Sequence, residues 1–307
     1  MSMDSVNLAS DKRLHSRKHV KVLVIGKHGQ LALELADTVP TDVELTCLSR
    51  TEIDLTEPSD INRVISTIKP NIIINVSGFT DVEAAESSYE NAYALNGKAV
   101  DNIASAAFNA KVRFIHISTD FIFDGSSQRP YTVDDKPNPI NVYGQSKLAG
   151  EVAIAKYHSD NFTIVRTSWL YSRFGKNFVK TMLNLMSEKE QLNIVNDQLG
   201  SPTHAKGLAH FLWCLIKLEK WQAIYHWSDL GITSWYEFAI AIQELGIKHG
   251  LLQYQIPIKP ILSVNYPSLA KRPSFSALDC TASQMILTGK AWQDELTDFI
   301  KALKPTS

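Results

Sequence analysis

V-K-V-L-V-I-G-K-H-G-Q, residues 20–30, is a β-branched apolar run that passes without a spacer into two glycines three positions apart. A run with no polar alternation fits a strand buried on both faces of a parallel sheet. The glycines let backbone N–H groups approach a pyrophosphate, which then sits at the positive end of a helix beginning near Gln30. Gly26 and Gly29 are therefore candidate phosphate-binding residues. The usual third glycine is missing; Ala32 stands three residues after Gly29 and is small enough for close helix-to-strand packing.

Working outward, Val43–Leu48 suits a second strand and ends at Ser49-Arg50, where an arginine can accept a 2′-phosphate. Arg50 thus tilts the cofactor expectation towards NADPH, with NADH the alternative. A helical pattern after Pro58 is followed by strands over 71–76, 112–117 and 162–166, with a long alanine-rich helix over 89–109. This regular alternation predicts an α/β, doubly wound parallel sheet over 20–170. After residue 170 it weakens: helix over 177–186, strand Leu192–Val195, helices over 204–218 and 235–245, and a strand over 225–227 between them. We expect 171–307 to form mainly a smaller C-terminal α/β substrate lobe, with some later segments returning to the first domain. Residues 1–19, basic and without an apolar core, read as a disordered leader.

Ligands of open α/β sheets bind at the carboxyl edge of the strands. The third strand delivers Ser77-Gly78-Phe79-Thr80-Asp81 there, and the fourth delivers Ser118-Thr119-Asp120, whose hydroxyls can hold a substrate carbonyl. A loop over 121–138 follows, and then Asn141-Val142-Tyr143-Gly144-Gln145-Ser146-Lys147. Tyrosine and lysine four apart share a helix face, so the ammonium can lower the cost of a phenolate whose ordinary pKa is about 10. Of the ten tyrosines, only Tyr143 has lysine at the fourth position onward. Asn96 reads equally as a functional amide or a buried structural one, and Trp169 equally as a pocket wall or as packing.

Composition narrows the function class. A formal charge of -1 over 307 residues offers no field for nucleic acid or an anionic membrane, so small-molecule chemistry is the expectation. Cys47, Cys214 and Cys280 are far apart, without a C-x-x-C, which fits a reducing cytoplasm rather than a disulfide framework. The nine histidines form no metal-binding pattern, and no G-x-S-x-G supports a serine hydrolase.

The glycine turn at 26–30, H-I-S-T-D-F-I-F-D-G at 116–125, N-V-Y-G-Q-S-K-L-A-G-E at 141–151, R-T-S-W-L-Y at 166–171, N-D-Q-L-G-S-P-T at 196–203 and R-P-S-F-S-A-L at 272–278 follow one another along nearly the whole chain. Together they resemble the extended short-chain dehydrogenase/reductase family, which implies a Rossmann-type fold and NADPH-dependent reduction of the 4-keto group of dTDP-4-dehydro-L-rhamnose. By that resemblance Tyr143 is the proton donor, Lys147 binds the nicotinamide ribose and Thr119 holds the keto oxygen, with Asp120 and Trp169 as substrate contacts. His28, Gly29 and Gln30 match the pyrophosphate turn, Asp54 and Leu55 an adenine contact, and Gly78, Phe79 and Thr80 the length of the cofactor. The resemblance also implies a homodimer and a Mg²⁺ ligand at Glu34, against which Ala32 and Leu33 depart from the family pattern. Two other readings stay open: a reductase or epimerase of another nucleotide 4-keto sugar, and a non-catalytic regulatory subunit of methionine adenosyltransferase.

Overall fold

The computed structural model describes residues 19–303, so the expected leader lies outside it except for His19. Strand β1 (Val20–Ile25) passes directly into helix α1 (Gln30–Asp37), as the opening stretch requires. Then follow β2 (Val43–Leu48), α2 (Pro58–Ile68) and β3 (Ile72–Asn75). A short helix α3 (Val82–Ser87), capped by the Asp81 side chain, precedes the expected long helix. That helix is α4 (Tyr89–Tyr93) and α5 (Ala99–Asn109), joined by a π-helical turn at Ala94–Lys98. The interruption of the expected single helix is spread over these five residues, Gly97 among them. Strand β4 (Arg113–Thr119), helix α6 (Val142–Ala155) and strand β5 (Phe162–Thr167) complete the first domain in chain order.

The sheet runs in the order β2, β1, β3, β4, β5 and then strand Ile224–Trp227, every neighbouring pair parallel. The last strand comes from the C-terminal half and pairs with β5, so the chain returns to its first sheet. Alternate residues explain why the strands lack a polar face. Val22, Val24, Ile72, Ile74 and Ile115 enter one core, beneath α1 and helix Ala205–Leu215. Leu23, Ile25, Ile73 and Phe114 enter the other, beneath α2 and α5. A third core, built from helices Phe178–Glu188, Trp235–Lys248 and Trp292–Ala302, holds the smaller lobe together. No helix among the described residues is long and apolar enough to cross a membrane.

Helix α6 is pressed unusually hard against its surroundings. A Cβ at Gly144 would overlap the carbonyl oxygen of Phe121, and one at Gly150 would overlap that of Asn96 in the π turn. Below it, Glu151 and Arg166 form a fully buried two-pronged ion pair (Nε to Oε1 3.0 Å, Nη2 to Oε2 2.7 Å) that ties α6 to β5. The remaining guanidinium nitrogen reaches His226 Nε2 at 3.3 Å on the returning strand. Because the obstacle at Gly150 is backbone, Gly150→Ala should force α6 outward. Urea unfolding should show a loss of about 1–3 kcal/mol, the usual cost of overpacking; an unchanged midpoint would mean that the helix yields freely.

Candidate active site

The six parallel strands end on one edge of the sheet, and the cleft there, of about 450 Å³, is lined by Gly29, Gln30, Ser77, Gly78, Thr80, Thr119, Asp120, Tyr143, Lys147 and Trp169 among others. Residues spread over 140 positions of sequence are thus brought together, most of them named from the sequence alone. Six expected contacts are not part of its lining: Gly26 and Phe79, which flank it, and His28, Arg50, Asp54 and Leu55. His28 is exposed on the glycine turn, and Arg50 is exposed at the end of β2. Asp54 is exposed, with its carboxylate fastened to Thr56 N (2.9 Å) and Thr56 Oγ1 (2.7 Å). Leu55 points into the core beside α2, with its carbonyl held by Asn102.

The glycine turn fits a phosphate-bearing dinucleotide. Gly26 has φ +116°, and an added Cβ would lie 2.9 Å from Ser77 N, so the turn tolerates no side chain there. Gly29 is the N-cap of α1 and supplies no side-chain hydrogen bond, which leaves the first N–H groups of that helix for an anion. At the end of β2, Glu52 accepts from Ser49 N (2.9 Å), Ser49 Oγ (2.7 Å) and Lys27 Nζ (3.1 Å). That carboxylate, which the sequence reading passed over, is occupied by these partners, whereas Arg50 makes no side-chain hydrogen bond or ion pair among the described residues.

On the third strand's edge, Asn96 acts as a clamp. Its Oδ1 accepts from Phe79 N (2.8 Å), and its Nδ2 donates to Phe79 O (3.0 Å) and Ser146 Oγ (2.9 Å). The π turn rotates this amide inward, so the loop of Gly78, Phe79 and Thr80 is fixed to α6 through one side chain. Of the two readings of Asn96, the structural amide is the one observed, in the service of the site.

Across the cleft, Thr119 Oγ1 donates to Asp120 Oδ1 at 3.0 Å, while Ser118 Oγ and Asp120 Oδ2 keep no hydrogen bond. Burial pushes the Asp120 carboxyl up to about 7, partly offset by hydrogen bonding from Ser276 and Thr119. Oδ2 is a buried polar atom without a hydrogen-bond partner. Trp169 has a strained left-handed backbone (φ +45°) and stacks on Trp235 with ring centroids 3.5 Å apart. It is both packing and pocket wall. Lys176, Trp235 and Arg272 also line the cleft. They were not singled out beforehand, because only folding brings the second lobe over the sheet edge.

The acid–base pair differs from its sequence expectation. Tyr143 remains part-exposed to the cleft, yet the protein around it pushes its phenol up to about 12, with hydrogen bonding from Thr119 pulling back and the charge of Asp120 adding to the rise. Lys147 does not acidify it in this geometry, because its ammonium is turned away: Nζ donates to Ile117 O at 2.6 Å and faces His116 Nε2 at 3.3 Å. Burial pushes Lys147 itself down to about 8, against the opposing charge of Glu151. Helix periodicity puts both residues on one face; the carbonyl at the end of β4 decides where the amine points.

Glu34 has no companion metal-ligating side chains among the described residues, although its Oε2 keeps no hydrogen bond. Its side chain is buried, Oε1 accepts from Ser172 Oγ at 2.6 Å, and no group of three or more His, Cys, Asp or Glu side chains among the described residues is placed to hold an ion. The expectation of Mg²⁺ at this residue is therefore not supported by the fold around it.

Comparison with known proteins agrees with this geometry. A family model described as the RmlD substrate binding domain matches residues 20–304. The dTDP-4-dehydrorhamnose reductase of Sinorhizobium fredii is 39% identical over 267 residues, 85% of this chain and 89% of that protein. The crystal structure of dTDP-4-dehydrorhamnose reductase from Bacillus anthracis in complex with NADP superposes with TM-score 0.86 at 32% identity, covering 92% of this chain and 98% of the other. UDP-glucose 4-epimerase from Thermus thermophilus, in complex with NAD, shares only the fold, with TM-score 0.78 at 14% identity. A match that spans the described residues, joined to relatives of this identity and coverage, means that the chain belongs to the RmlD family of dTDP-4-dehydrorhamnose reductases.

Proposed function

We propose that this protein reduces the 4-keto group of dTDP-4-dehydro-L-rhamnose, giving dTDP-L-rhamnose, with NADPH as cofactor. The observation that carries the reading is the meeting of Thr119, Tyr143 and Lys147 with the glycine turn along one cleft. When bound, the nicotinamide supplies the hydride. Every other requirement falls to the chain. Tyr143, whose raised pKa keeps it protonated at neutral pH, gives its proton to the substrate oxygen. Thr119 and the unpartnered Ser118 Oγ hold that oxygen, and Asp120 offers a buried acceptor to a sugar hydroxyl. Lys147, released from Ile117 O towards the ribose, brings its charge alongside the phenol and lowers the cost of the phenolate left behind. Arg50 takes the 2′-phosphate. A cavity of about 800 Å³ shares Trp235 and Arg272 with the cleft and adds Tyr266 and Lys271, a size and charge suited to a nucleoside diphosphate. We assign that role to the smaller lobe, and the division of labour near residue 170 is part of the proposal, as is a homodimer, which sedimentation velocity checks.

The direct test couples dTDP-glucose, the upstream dehydratase and epimerase, this protein and NADPH, and identifies the sugar formed; absence of dTDP-L-rhamnose overturns the reading. Tyr143→Phe should lower turnover by roughly 10²-fold or more, the usual worth of a general acid, with NADPH affinity nearly unchanged by fluorescence titration. Arg50→Ala should reduce the preference for NADPH over NADH by roughly tenfold, as expected for a lost charged hydrogen bond; an unaltered preference would make Arg50 a bystander. The lysine also sets a pH limit. Lys147 is charged below about 8 and neutral above it, so kcat/KM should fall as pH rises through that value.

A further inference from the structure

Behind Lys147 lies a buried polar chain that the proposed chemistry leaves unused. Ser77 N (3.1 Å) and Ser77 Oγ (2.6 Å) both donate to Asn75 Oδ1. A backbone N–H can only donate, so Oδ1 is the acceptor and Nδ2 is the atom that faces His116 Nδ1, at 3.1 Å. An amide NH₂ can only donate in turn, which leaves Nδ1 without a proton. His116 is fully buried, and burial together with the nearby Lys147 charge pushes its pKa well below the ordinary value, so the ring stays neutral. Its single proton therefore sits on Nε2, the nitrogen 3.3 Å from Lys147 Nζ. Two donors face each other there whenever the lysine is an ammonium, and the contact becomes a hydrogen bond when the amine is neutral.

We propose that His116 is a positioning residue for Lys147: locked by Asn75 as the Nε2–H tautomer, it presents a proton to the amine and so sets the pH above which the lysine discharges. The inference rests on the reductase reading for its consequence, though its physical core does not. The other groups facing the amine work differently. Glu151 on the same helix favours the ammonium, Ile117 O accepts from either form, and Gly78 and Asn96 carry no titratable group. Tyr143 and Asp120 lie on the cleft side and respond to ligand. The sign follows: a donor in front of the nitrogen lowers the midpoint of Lys147, and an acceptor there would raise it.

Asn75→Asp tests this with a small change of shape. The carboxylate still accepts from Ser77 but also accepts from His116 Nδ1, which moves the ring proton to Nδ1 and turns Nε2 into an acceptor for the ammonium. Long-range ¹H–¹⁵N spectra of the free protein should show His116 as the Nε2–H tautomer in the native chain and as the Nδ1–H tautomer, or fully protonated, in the variant. Titration of ¹³C-labelled lysine, with Lys147→Met assigning the signal, should show the Lys147 midpoint rising by about one unit or more. The basic limb of kcat/KM should rise by the same amount. If Asn75→Asp does not fold, His116→Asn serves instead: its amide oxygen retains the Asn75 bond but places no N–H before the amine, and the lysine midpoint should again rise. An Nδ1–H tautomer in the native chain, or a Lys147 midpoint unmoved in a folded variant, overturns the proposal. Both spectra are read without substrate, so they stand whether or not the coupled assay yields the sugar.

Discussion

The closeness of α6 to the end of β4 is the constraint on which the site depends. Glycines at 144 and 150 let the helix settle until only backbone stops it, and the buried Glu151–Arg166 pair fixes it from below. A buried ion pair of this kind adds little net stability over apolar residues of the same volume, but losing one partner is costly. Its effect is therefore one of registration: α6 has one seat, and from it Lys147 rests between Ile117 O and His116 in the free protein. Side-chain chemistry at the cleft follows from a helix packing distance.

Desolvation then does most of the electrostatic work. The Tyr143 phenol and the Asp120 carboxyl are driven up and the Lys147 amine is driven down, in each case with burial as the largest cause. All three shifts favour the neutral form, yet in the free cleft at neutral pH only the phenol is fully neutral: Asp120 stands near its midpoint and Lys147 still carries its charge, with unpartnered polar atoms at Ser118 and Asp120. A charged or hydroxyl-rich ligand entering it supplies the missing partners and shifts these equilibria back towards the charged forms. The catalytic pairing of tyrosine and lysine is in this sense completed by the ligand rather than built into the free protein.

The likeness to a UDP-glucose 4-epimerase at 14% identity shows how much of this architecture is common property of the fold. A shared fold does not by itself fix a substrate. On the proposed reading, discrimination among sugar nucleotides falls to residues of the second lobe such as Trp235, Tyr266 and Arg272, which line the two cavities.

The order of strands and helices in the first domain was legible in the sequence because parallel strands buried on both faces are written as unbroken apolar runs, and Gly26 and the Tyr143/Lys147 spacing are local signals of local geometry. The identities of Thr119, Asp120 and Gly78 as cleft residues were legible for a related reason: each lies at or just past the end of a strand, and strand ends in such a sheet share one edge. What no local pattern encoded was direction and company. Whether Lys147 faces the phenol or a carbonyl, whether Asn96 is a ligand or a clamp, which proton His116 carries, and that the carboxyl of Glu34 is buried and bonded to Ser172 all depend on atoms 17 or more residues away in the chain. Periodicity assigns a residue to a face; only the packed partner on that face decides its hydrogen bonds, and through them its charge.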